Sequence, residues 1–175
     1  MNYIVLGILF IISGFFMKYS DDLYDVNHEL TFSALLGIIC AIASALASIY
    51  SSEAAYLFIS ILIGNLIVLK VDGLHHIITL IVFLAILLIA GIPNLGLVIL
   101  LICILGMISD EIGHELIPKK TDDRFLNLFF EYRFVMKVVV LLLALCGVFD
   151  IWIFVCFILF EISYVGAGIV FEKFN

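Results

Sequence analysis

Seven apolar stretches, each near the thickness of a lipid bilayer, leave this chain few ways to fold. They cover residues 3–19, 31–50, 54–70, 76–90, 95–109, 134–149 and 151–170. A chain of 175 residues that is 66% hydrophobic, with a mean hydropathy of +1.34, has nowhere to hide that surface from water. The class this implies is all-α: a polytopic membrane helical bundle of about seven transmembrane helices, forming one domain over residues 1–175. Several stretches are nearer the lower bound of about 17 residues than the usual 20 or so, so helices ending inside a polar crevice are also compatible with the pattern. The opening MNYIVLGILF lacks the basic flank and cleavage pattern of a secretory signal and reads as a retained first span. Cys40, Cys103, Cys146 and Cys156 fall inside apolar runs without paired spacing, which predicts membrane-buried thiols rather than disulfides or a zinc cluster.

The basic residues give the direction. Alternating seven spans puts the segments near residues 20–30, 70–76, 110–133 and 171–175 on one side. All eight Lys and Arg residues lie there or just inside it. The positive-inside rule makes that side cytoplasmic, N-out and C-in, as expected for a cell-membrane protein. All four histidines fall on the same side, with 12 of the 15 acidic residues, all but Glu53, Asp150 and Glu161. A formal charge of -7 concentrated in that layer attracts cations and repels nucleic acid.

Within the layer, three helix ends share a design: SGFFMKYSDDLYD, GNLIVLKVDGLHH and LGMISDEIGHE. Each is a glycine-containing apolar run closed by an acid, with another acid or a histidine three or four residues on. The first offers Asp21, Asp22 and Asp25, with His28 and Glu29 beyond. DDxxD spacing suits Mg²⁺ shared between carboxylates and substrate phosphate, or a solvated loop capping the next helix. The second offers Lys70, Asp72, His75 and His76. Asp72 fits a helix N-cap, and Lys70 fits a side chain reaching for headgroups. The third is the densest: Asp110, Glu111, His114 and Glu115 stand within little more than one turn, with i, i+4 pairs on shared faces. Negative charge at a helix C-terminus opposes the macrodipole, so a helix ending there calls for a cation. The single histidine of DEIGHE excludes the HExxH zinc-protease pattern.

Downstream, PKKTDDRFLNLFFEYR alternates charge with aromatics. It reads as an interfacial amphipathic helix, or as a segment whose Lys119, Lys120, Arg124 and Arg133 neutralise a phosphate. Glu161 is the outlying ionisable group, in the middle of the last apolar run, with Asn65 or Ser60 as candidate hydrogen-bonding partners. AIASALAS, residues 41–48, supplies small residues for close helix packing.

The pairing of KYSDDLYDVNHE with SDEIGHELIPKKTDDR resembles the UbiA superfamily of intramembrane prenyltransferases. The resemblance implies an all-helical fold with two aspartate-rich motifs on the cytoplasmic side that bind Mg²⁺ and a prenyl diphosphate. Asp21, Asp22 and Asp25 look like the first motif, Asp110, Glu111 and the 114 position like the second, and Lys70 lies where that family places a substrate-capping loop. His114 and Glu115 stand where aspartates are usual, which admits Zn²⁺ or Mn²⁺ beside Mg²⁺.

The expected function is a membrane enzyme acting on a lipid or prenyl (di)phosphate, prenyl transfer first, with membrane lipids as its surroundings. Asp21, Asp25, Asp110 and His114 are the candidate metal ligands. Asp22, Asp72 and Glu111 are the catalytic candidates, and Lys70, Lys119 and Arg124 the phosphate contacts. His76, Glu115 and Glu161 are further candidates. The alternatives are a divalent-cation transporter or binding protein with an acidic vestibule, and a non-catalytic subunit of a membrane complex. Convergence of the three helix ends is the condition on which a shared site depends.

Overall fold

The computed structural model describes residues 2–71 and 73–174. Among these residues there are eight helices and no strand. They are α1 (Tyr3–Asn27), α2 (Leu30–Tyr50), α3 (Ser52–Ile67), α4 (Leu74–Ala90), α5 (Leu97–Lys120), α6 (Arg124–Glu131), α7 (Phe134–Leu145) and α8 (Ile151–Phe174). Hydropathy predicts seven. The eighth, α6, folds from the polar aromatic segment between the fifth and sixth apolar runs. Four helices, α1, α2, α5 and α8, are long and apolar enough to cross a membrane. The 24 residues of α5 reach about 36 Å, beyond the ~30 Å of a hydrocarbon core. The apolar helices α3, α4 and α7, of 16, 17 and 12 residues, are shorter than a typical span.

Polar tails lengthen two helices past their apolar runs. α1 continues through SDDLYD to a left-handed cap at His28, whose N–H donates to the Tyr24 carbonyl at 3.0 Å. α5 continues through DEIGHE to Lys119 and Lys120, so its negative residues stand about one to three turns before a C-terminus that ends on favourable positive charge. The expected conflict with the macrodipole does not arise, because the helix does not stop at Ser109.

α1 packs on α2 and α8, α3 on α2 and α5, and α7 on α5 and α8, which closes a ring of six helices. α4 packs against α2, and α6 straps the ends of α5 and α7. Phe10, Phe58 and Phe160 meet inside the ring, with ring centroids 4.8 and 6.0 Å apart. The small residues of α2 allow close approach: Ser44 lies 2.6 Å from Ser13 of α1, hydroxyl to hydroxyl, and Ser20 of α1 donates to the Ser33 carbonyl at 2.7 Å. Ile4, Leu88, Ile89, Leu97, Leu145 and Ile162 point outward, the surface a bilayer would cover. The cysteines are free thiols.

The two ends of the bundle differ. At one, Tyr3 donates to Asp150 at 2.5 Å, and the Asp150 N–H donates to Glu53 at 3.2 Å. At the other, the C-terminal parts of α1, α5 and α8 meet the first turns of α4 and α7, and nearly all remaining charge collects there.

Candidate metal centre

α1 and α4 build the centre. Asp21, on the polar tail of α1, reaches the first turn of α4, where His76 Nε2 lies 3.1 Å and His75 Nε2 3.9 Å from its Oδ1. One donor atom from each of the three residues falls within 4.8 Å of the others. Nitrogen and oxygen ligands at about 2.0–2.2 Å from a four-coordinate ion stand roughly 3.3 Å apart, and the 3.1 and 3.9 Å separations bracket that spacing.

His75 is 1% exposed, and neither ring nitrogen has a hydrogen-bond partner. Such a buried polar group costs about 1–3 kcal/mol unless something satisfies it. Its ring lies between Tyr24, with centroids 4.3 Å apart, and His76, at 3.9 Å. In the sequence His75 belongs to the second cluster, and of its two histidines only His76 is a site candidate. The missed signal is a four-residue stripe: His75, Thr79, Phe83 and Leu87 share one face of α4, and Phe83 and Leu87 are core residues.

The other candidates are distributed around this centre. Asp22 is paired with Lys18 at 2.7 Å, and Asp25 is exposed. Asp72 lies outside the described residues. Lys70 pairs with Glu115 at 2.5 Å, which ties the α3–α4 connection to α5. Asp110 is fully buried and accepts the backbone N–H groups of Val135 and Met136, so it caps α7. His114 turns to α6, its Nδ1 3.3 Å from the Phe130 carbonyl. The four proposed ligands therefore separate: Asp21 lies in the centre, Asp25 is exposed, and Asp110 and His114 are engaged with the α6–α7 segment. Lys119 and Arg124 are exposed, without an ion pair among the described residues. Glu161 pairs with Lys137 at 2.8 Å, while the Ser60 hydroxyl donates to the carbonyl of Tyr56 in its own helix.

Glu111 binds Arg133 at 2.7 Å, and the Arg133 guanidinium also lies over the Tyr164 ring. Burial works against that positive charge, but Tyr164 and Glu111 outweigh it and raise the pKa, so Arg133 stays charged. Of these basic partners, Arg133 belongs in the sequence to the phosphate-neutralising segment, whereas nothing in the sequence marks Lys18 and Lys137 as site residues. Their roles arise from helix ends brought together by the ring.

An apolar cavity of about 110 Å³ opens beside the centre. His76, Lys70 and Asn65 line its polar side, and Phe58, Leu80 and Phe83 its apolar side. Seven residues separate His76 from Phe83, so the cavity runs about 10 Å along α4.

Fold and centre together define a class: an all-helical protein of membrane character, with a carboxylate and two imidazoles gathered at its charged end. Comparison with protein-family models, curated proteins and solved structures finds no match to this chain.

Proposed function

We propose that this chain is a membrane-embedded metal-dependent enzyme in which Asp21, His75 and His76 hold one divalent ion, and a lipid phosphate binds with its headgroup at the ion and its chain in the adjoining cavity. The buried ring of His75, neither nitrogen of which is hydrogen-bonded and whose Nε2 faces Asp21, carries the reading. Three protein ligands leave coordination positions for substrate or water, the arrangement of a catalytic rather than a structural site. Two imidazoles favour Zn²⁺ or Mn²⁺ over Mg²⁺. Lys70 lines the same cavity as His76 and would leave Glu115 for a substrate phosphate. The ion would offset charge on a departing phosphate, which suits prenyl transfer or hydrolysis at a lipid phosphate. The wall of Phe58, Leu80 and Phe83 suits an apolar chain, which favours an enzyme acting on a lipid over a transporter.

In this reading the seven apolar helices all lie in the bilayer, with α1, α2, α5 and α8 crossing it fully, α6 lies in the interface, and the charged end faces the cytoplasm. The test is metal analysis of protein purified in detergent after exposure to Zn²⁺ or Mn²⁺, wild type beside Asp21→Asn and His75→Ala. About one equivalent is expected in the wild type and a small fraction of that in either variant. Negligible metal in the wild type, or equal metal in all three, would overturn the proposal.

A further inference from the structure

The cavity beside the metal centre has the same depth on each of its three main walls. Its lining runs from Asn65 to Phe58 on α3, from His76 to Phe83 on α4 and from Gly37 to Ser44 on α2. Seven residues separate the ends of each wall, about 10 Å of helix. Lys70, Asn65 and His76 stand at the charged end, and the two phenylalanines at the other.

The deep ends of the walls form a floor. Ser44 and Phe58 stand seven residues either side of the turn at Ser51, which sets them at one level. Gly37 faces Thr79 across the α2–α4 contact, and one turn deeper stand Ala41 and Phe83. Phe58 and Phe83 are 3% and 4% exposed. Phe10 backs Phe58, with centroids 4.8 Å apart, and Leu87 lies in the core one turn beyond Phe83.

Depth and volume both convert to carbon atoms. Three bonds span the ~3.8 Å between consecutive Cα atoms, so an extended chain advances about 1.3 Å per bond and about eight carbons fill about 10 Å. An apolar cavity of about 150 Å³ takes a six-carbon ring, so one of about 110 Å³ takes about five carbons.

We infer that the site is selective for a phosphate with a short apolar chain, about five to eight carbons, and that Phe58 and Phe83 set the limit. The inference rests on the ion and phosphate binding proposed above. A longer chain meets the floor, so its further carbons gain no burial there. Phe83 is the residue to test: it stands on α4, outside the helix ring, whereas Phe58 packs with Phe10 and Phe160 inside it.

Zinc-loaded protein in detergent is titrated with straight-chain alkyl phosphates from butyl to dodecyl, and the dissociation constants are read by calorimetry. Micelles take up the longer phosphates, so each variant is compared with wild type at the same chain length, where that uptake cancels. In wild type the constant should fall by up to about fourfold per carbon as far as about eight carbons, and no further. Phe83→Ala should bind decyl and dodecyl phosphate at least about tenfold more tightly than wild type does, with the ratio growing with chain length. Leu80→Phe puts a larger side chain about one turn nearer the mouth and should weaken octyl phosphate at least about tenfold, more than it weakens butyl phosphate. It removes nothing from the core and carries the test if Phe83→Ala does not fold. Metal-dependent binding that gains equally per carbon in all three proteins overturns this inference alone. No metal-dependent binding at any length, judged against His75→Ala, overturns the proposed function and the inference with it.

Discussion

Asp110 and Met136 are joined across 26 residues of sequence by a 2.7 Å hydrogen bond, the Met136 N–H donating to the Asp110 carboxylate, and Val135 N–H donates to its other oxygen at 2.9 Å. The carboxylate of one helix thus serves as the N-terminal cap of another. This explains why so acidic a segment is tolerated within an apolar helix: the charge is placed where a helix N-terminus favours it. Asp110→Ala leaves two amides without their acceptor in a buried place and should cost about 2–4 kcal/mol. Metal content should not change. Denaturant titration alongside metal analysis checks both, and metal loss without loss of stability would return Asp110 to the ligand set.

His75 separates the cost of the site from its use. His75→Phe keeps a ring against Tyr24 and removes two buried nitrogens that make no hydrogen bond, Nε2 lying 3.9 Å from Asp21, so the metal-free protein should gain about 1 kcal/mol. The same substitution should abolish metal binding. Unfolding measured with and without Zn²⁺ gives both halves. A metal-free variant less stable than wild type would show that the ring serves packing rather than coordination.

Much of the bundle is legible in the sequence because bilayer-length apolar runs permit little else, and the collection of charge at one end follows from alternating them. The convergence of DDLYD with DGLHH is foreshadowed by their placing on one side, and Asp21 with His76 is the realised contact. What the sequence hides is pairing between distant helices. Asp110 and His114 have the residue types of ligands, but their partners, the amides of α7 and the Phe130 carbonyl, depend on how α6 folds back. Adjacent histidines on a helix ordinarily diverge by about 100°. That His75 and His76 both approach Asp21 depends on α4 beginning at Leu74 and on Tyr24 flanking the His75 ring.

Acid sensitivity should arise at the opposite end. Asp150 accepts from the Tyr3 hydroxyl and then from the Trp152 N–H, which together hold its pKa below the ordinary carboxylate value. A lowered folded-state pKa means that this contribution is complete above the unfolded value of about 3.9 and is lost as pH falls through the folded one. Asp150→Asn should therefore be less stable than wild type near neutrality, and the two should converge in acid. Tyr3→Phe should narrow the window. Tm against pH from neutrality to acid is the measurement, and a gap between wild type and Asp150→Asn that persists in strong acid would count against the assignment.

Gly37 tests how the metal centre is held. A Cβ there would collide with the hydroxyl of Thr79, and that hydroxyl donates to the His75 carbonyl at 2.9 Å. Gly37→Ala must push α2 from α4 or turn Thr79 away, at a cost of about 1–3 kcal/mol, and either movement reaches His75. Gly166 in α8 is the control, because a Cβ there meets nothing within 4 Å. Gly166→Ala should be neutral or stabilising by up to about 1 kcal/mol from helix propensity. Gly37→Ala should thus weaken metal binding as well as stability, while Gly166→Ala leaves binding unchanged. Equal effects of the two substitutions on metal affinity would mean that the α2–α4 contact does not position His75.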